Sequence, residues 1–276
     1  MNPMPSRSSD CIEFEPARLR GLEARFEAQK IAFGPVVFQC VRTAWKSGLL
    51  AQIELADQAG ATIAELSTSC SLSAYAISVV LETALSAGTV KRTTGRYTLT
   101  RVGDNILHDT LTQINIDYIH DVCYAGLFFL EASLREEKPL GLKALGDWPT
   151  IYEGLSALPE PARTSWFNFD HHYSDSAFAS ALLPVFANKP RRLMDIGANT
   201  GKWSVQCLRH DPDLRITLLD LPIQLARAEA TLQHAGVLER AALYPIDVLD
   251  FSAPFPHSMD AVWMSQFLTC FSIDAI

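Results

Sequence analysis

Apolar positions in the first hundred residues recur at helical spacing. Val37, Cys40, Val41, Ala44 and Trp45 form one stripe, and the pattern predicts two helices over roughly 17–31 and 35–50. Thr62 with Glu65 has the form of a capping box, which opens a short helix. Ser73 caps another, whose apolar positions Ile77, Val80, Leu81, Ala84 and Leu85 follow 3.6-residue periodicity until Gly88 ends it. From Val90 to Thr100 the period changes to two, with Tyr97 and Leu99 alternating against threonines and a turn at Thr94-Gly95. Helix, helix and a two-stranded wing make a winged-helix arrangement.

The middle of the chain reads as helical over about 104–135. A connector containing Pro, Gly and Trp follows over 138–161, and then a helix over 162–187. Beyond 191 short apolar strands alternate with helices. Leu193–Ile196, Ile216–Leu219, Ala241–Ile246 and Ala261–Phe267 are the predicted strands, with helices over Gly201–His210 and from Pro222 to Gly236. Strands joined by crossover helices imply a parallel, doubly wound sheet. The expected fold class is therefore α/β: an all-α winged-helix region, then a Rossmann-like sheet. The expected division is 17–110, 111–187 and 188–276. Residues 1–16, polar and broken by prolines, read as a loose tail.

Composition narrows the function. The 276 residues carry 23 basic and 31 acidic side chains, a net charge of −8. A nucleic-acid binder needs a basic domain; residues 1–110 balance and both later parts are acidic, so no nucleic-acid partner is expected. Residues 73–87, where a recognition helix would lie, hold Glu82 and neither Lys nor Arg. Six cysteines at 11, 40, 70, 123, 207 and 270 form no CxxC pair, so no metal site is expected and reduced thiols are. The N-terminus lacks the apolar core of a secretory signal and no apolar run is long enough for a membrane span, which reads as a cytoplasmic protein without a membrane partner.

The chemistry concentrates in Asp195-Ile-Gly-Ala-Asn-Thr-Gly201, where the first strand meets its helix. Gly197 and Gly201 permit a sharp turn that brings backbone amides to a ligand. Asp220 ends the second strand, where a carboxylate accepts both hydroxyls of a ribose. A dinucleotide fingerprint needs G-x-G-x-x-G; counted from Gly197, its later positions hold Asn199 and Lys202. Asp195 suits an ammonium better than a pyrophosphate. These features together point to S-adenosylmethionine.

Residues 191–272 resemble the cofactor-binding half of class I S-adenosylmethionine-dependent methyltransferases. With the winged helix in front, the chain is similar to the dimeric small-molecule O-methyltransferases of the hydroxyindole and plant caffeate type. The resemblance rests on DIGANTG at 195–201, LLDLP at 218–222, IDVLDF at 246–251 and DAVWMSQFLTCFS at 260–272. It implies that Asp195, Gly197, Asn199 and Gly201 hold the methionine part, Asp220 and Leu221 the ribose, and Asp247 and Val248 the adenine. Ser265 and Gln266 would then lie beside the sulfonium. It also implies a homodimer built on the N-terminal module.

His171 and His172 are the candidates for receiving the acceptor's proton, with a rival reading as polar residues on a helix surface. Trp166, Phe169 and Tyr173 are candidate walls for an aromatic acceptor, with plain core as their rival reading. In the family the sheet continues past its fourth strand and the general base lies there. Here the sequence reaches Ile276 with Ser272 reading as a helix cap, so the sheet is expected to be truncated after its fourth strand and the domain incomplete. On that reading the chain is expected to be poorly stable and little active alone. Three functions stay open. The first is a methyltransferase for the oxygen or activated carbon of a small aromatic or polyketide-like acceptor. The others are a non-catalytic interaction protein and a winged-helix regulator.

Overall fold

The computed structural model describes residues 19–155 and 157–271. The expected loose tail at 1–16, Cys11 and the Ser272 cap lie outside these residues. Backbone contacts group the chain into two compact units, one ending at Asp109 and one beginning at Thr110.

In the first unit α1 spans Gly21–Lys46 as one helix with Pro35 inside it, where the sequence predicts two. Pro35 removes a hydrogen bond from the helix but is compatible with its φ. Gly34 keeps a helical φ, and the break falls instead at Gly48, in the left-handed region with φ 78°. There α2, Leu49–Leu55, begins. The capping box opens α3, Ile63–Cys70: the Glu65 carboxylate accepts the Thr62 N–H at 2.7 Å, and the Thr62 hydroxyl accepts the Glu65 N–H at 3.3 Å. Ser73 accepts the Ala76 N–H at 3.1 Å and opens α4, Ala74–Ser86. Strands β1, Val90–Thr93, and β2, Arg96–Leu99, pair as predicted around Thr94 and Gly95, both at positive φ. Helix α5, Arg101–His108, closes the unit. Leu49, Leu50, Ile53, Leu66, Ile77, Leu81 and Tyr97 are among its largest fully buried side chains.

In the second unit the single helical region expected over 104–135 is divided. After α5 the chain turns at Asp109, whose ψ of 111° is extended. Then come α6, Thr110–Tyr118, a wide π turn over Ile119–Cys123, a 3-10 turn, and α7, Leu130–Glu136. Short α8, Ile151–Gly154, precedes the long α9, Ala162–Phe186. Strands β3, Arg192–Ile196, and β4, Arg215–Asp220, flank α10, Lys202–His210. Helix α11, Pro222–His234, leads to β5, Ala241–Pro245, and the chain then reaches β6, Ala261–Trp263. The sheet order is β5-β4-β3-β6, and all pairs are parallel, the pairing that the sequence predicts.

Strand β6 is shorter than the predicted Ala261–Phe267. Gln266 takes a positive φ of 53°, and the segment after Trp263 leaves the sheet as a turn. Leu193, Leu208, Leu214, Ile216 and Leu218 are fully buried against the sheet, and the Trp203 and Trp263 rings stack with centroids 4.3 Å apart. The order of connections reverses between β3 and β6. In such sheets ligands bind outside the carboxyl ends of the strands at that point.

Candidate functional site

The carboxyl ends of β3, β4 and β6 border a cavity of about 380 Å³, completed by α9 and the loop after β6. The turn after β3 is built on left-handed backbone: Gly197, Asn199 and Gly201 have φ of 72°, 50° and 73°. A Cβ on Gly197 would collide with the Phe267 ring, so no other residue fits there. A Cβ on Gly201 would press on Ala228 at 3.1 Å, so this glycine lets the start of α10 approach α11 closely.

Two carboxylates end the central strands. Asp195 is 2% exposed, and its Oδ2 accepts the Ser204 hydroxyl at 2.7 Å. Burial pushes its carboxyl up to about 7. Asp220 accepts the backbone N–H groups of Asn199 and Leu221, each at 2.7 Å, and burial still raises it. From α9, Asp170 accepts the Asn199 side-chain amide at 2.5 Å. Burial, with Asp175 nearby, lifts Asp170 to about 6. Lys202 donates to Asp175 at 2.8 Å. His171 lies between them: Nδ1 is 3.4 Å from Asp175 Oδ1, and Nε2 is 3.4 Å from the Thr200 hydroxyl. Burial is the main cause that lowers its pKa below the ordinary value, so the ring is neutral at pH 7. About one turn before Asp170 on α9, Trp166 stands edge-on to Tyr152, and the Tyr152 hydroxyl lies 2.8 Å from Cys270 Sγ. Among the described residues the walls hold six acidic side chains (Glu153, Asp170, Asp175, Asp195, Asp220 and Asp247) against one lysine.

Comparison with known proteins agrees with this geometry. Residues 25–97 match the Dimerisation2-like domain. The chain is 22% identical over 240 residues to the L-tyrosine C(3)-methyltransferase of Streptomyces lavendulae, covering 86% of this chain and 64% of that one. It is 24% identical over 245 residues to the bacteriochlorophyllide d C-20 methyltransferase of Chlorobaculum tepidum, covering 87% and 69%. The solved structure of the S-adenosylmethionine-dependent methyltransferase SibL, in its apo form, matches with a TM-score of 0.66 at 22% identity, over 90% of this chain and 73% of that one. The mitomycin 7-O-methyltransferase MmcR matches with a TM-score of 0.66 at 18% identity, over 92% and 75%. The chain has a methyltransferase fold. It spans a little under two thirds of the Streptomyces relative, 64% of its length.

In this methyltransferase-fold chain most of the residues singled out from sequence come together. Asp195, Gly197, Asn199, Asp220, Leu221, Asp247, Val248, Ser265 and Gln266 all stand on the cavity wall, as do Trp166 and His171. Gly201 does not; it works behind the wall through helix packing. His172, Phe169 and Tyr173 also lie off the wall. Phe169 stacks on Tyr118 with centroids 3.9 Å apart, and the Tyr173 hydroxyl donates to Asn115 at 3.2 Å, which places both against α6. The cause is helical phase. Trp166, Asp170, Ser174 and Phe178 repeat every fourth residue along one stripe of α9, while 169, 172 and 173 project elsewhere. That same count, applied from Trp166, would have found Asp170 and Ser174. Tyr152, Cys270 and Phe267 carried no comparable signal, because segments far apart in sequence, α8 and the turn after β6, bring them to the wall. The five described cysteines are free, and no single helix among the described residues is long and apolar enough to cross a membrane.

Proposed function

We propose that the chain binds S-adenosylmethionine in this cavity and directs its methyl group to an oxygen or activated carbon of a small aromatic or polyketide-like acceptor. The carrying observation is the wall chemistry: among the described residues six acidic side chains face a single lysine, and Lys202 is already paired with Asp175. A pyrophosphate would meet like charge there, whereas a ligand bearing a sulfonium and an ammonium is attracted. When bound, S-adenosylmethionine supplies a methyl group on a positively charged sulfur, open to in-line displacement.

The protein's own part is positioning and proton handling. Asp195 and the turn through Gly197 and Asn199 hold the methionine part, with Gly201 fixing the turn against α11. Asp220 accepts the ribose hydroxyls and Leu221 packs beside them. Asp247 accepts from the adenine amine, Val248 covers the ring face, and Ser265 with Gln266 borders the sulfonium. His171 takes the acceptor's proton on a ring nitrogen, which its neutral state leaves able to accept. Trp166, Tyr152 and Phe271 give the acceptor an aromatic surface that excludes water. The first unit serves as a homodimer interface. Its α1 exposes Leu22, Phe26, Phe33 and Val36 along one apolar stripe that a second copy would cover.

Calorimetry with S-adenosylhomocysteine and NADH tests the cofactor. Binding of the first well above the second is expected, and preference for NADH would overturn the reading. Sedimentation at micromolar concentration is expected to give a dimer; a monomer would remove the interface.

A further inference from the structure

Gln224 lies in the first turn of α11, four residues past Asp220. It is 4% exposed and stands on the cavity wall. Among the described residues, neither its Nε2 nor its Oε1 has a hydrogen-bond partner. Exchanging the two atoms changes nothing, since both are orphaned. Burying an amide in this way is unfavourable, and leucine or methionine would fill the same space without the cost, so packing does not account for glutamine here.

The adjoining carboxylate supplies the missing explanation. Ionised Asp220 only accepts hydrogen bonds, and it already holds the N–H groups of Asn199 and Leu221. A diol that donates its hydroxyl protons to the remaining lone pairs of Asp220 keeps its own oxygen lone pairs free. Those oxygens need a donor, and the unpaired Gln224 amide, on the same cavity wall, is available as one. We propose that Gln224 binds the ligand's ribose together with Asp220, as the donor half of a two-sided diol site. The assignment rests on the cofactor reading given above.

The test uses Gln224→Leu and Gln224→Met in thermal melting of the ligand-free chain. Calorimetry then follows with S-adenosylhomocysteine and with 5′-methylthioadenosine, which has the adenosine but no amino-acid tail. Both variants are expected to melt at or above the wild-type Tm and to lose roughly tenfold in affinity for both probes. Unchanged affinity, or a loss confined to S-adenosylhomocysteine, would overturn the assignment. So would a lowered Tm in both variants, which marks a packing role. If the wild-type chain binds neither probe, the cofactor reading fails and takes this assignment with it.

Discussion

Glu65 in the first unit and Asp195 in the second are both carboxylates near the start of a helix, in opposite surroundings. Glu65 is at the surface, where the Thr62 N–H and hydroxyl and the Arg96 guanidinium hold its carboxyl below the usual range. Asp195 is sealed behind the turn after β3, and burial drives its carboxyl up to about 7 even though Ser204 donates to it. Asp170 follows Asp195, at about 6. The first unit uses charge to stitch neighbouring segments together at the surface. The second gathers charge around a cavity at a cost to its own stability, which makes sense where a ligand of opposite sign offsets it.

Removing core volume from the first unit gives the largest expected effect. Leu81→Ala should cost about 2–5 kcal/mol of stability by denaturant melts, with S-adenosylhomocysteine affinity of the folded fraction unchanged. Next comes the cavity itself. Asp220→Ala should lose about 1–3 kcal/mol of S-adenosylhomocysteine binding by calorimetry, without a matching fall in Tm. An equal fall in both would erase the distinction between the units.

A third test varies pH. The carboxyls of Asp195 and Asp170 have folded-state pKa values of about 7 and about 6, raised from 3.8. Their contribution to the stability of the ligand-free chain is therefore greatest below about 4, and it is lost as pH rises through about 6 and then 7. Urea melts at pH 5 and pH 8 should show Asp195→Asn flattening the upper part of this fall. Affinity for a cationic ligand should run the other way, weakening as pH drops from 7 to 5. The smallest effect is expected at the surface: Thr62→Ala should lower stability by about 1 kcal/mol in melts and leave affinity untouched.

Legibility in the sequence divides along the same line. The Thr62 and Ser73 caps, the Thr94-Gly95 turn and the alternation of strands with helices beyond 191 depend on neighbours a few residues apart or on periodicity along the chain, and all could be read directly. The turn at 195–201 and Asp220 were legible because backbone geometry restricts which residues fit. The two helices expected over roughly 17–31 and 35–50 are one helix, because a proline weakens a helix without having to end it. Phe169 and Tyr173 lie off the cavity wall and against α6, because helical phase rather than residue type decides which side chains of α9 reach it. The contacts of Asp170 with Asn199 and of Tyr152 with Cys270 span 29 and 118 residues, and nothing local announces them.

Asn199 makes one contact with each of two carboxylates: its backbone N–H reaches Asp220 and its side-chain amide reaches Asp170. A ligand that draws on both carboxylates would therefore work against one shared residue, and its interactions with the two would be thermodynamically linked through it. Free energy spent in setting Asn199 for one carboxylate would not be required again for the other, and by reciprocity the help would run both ways.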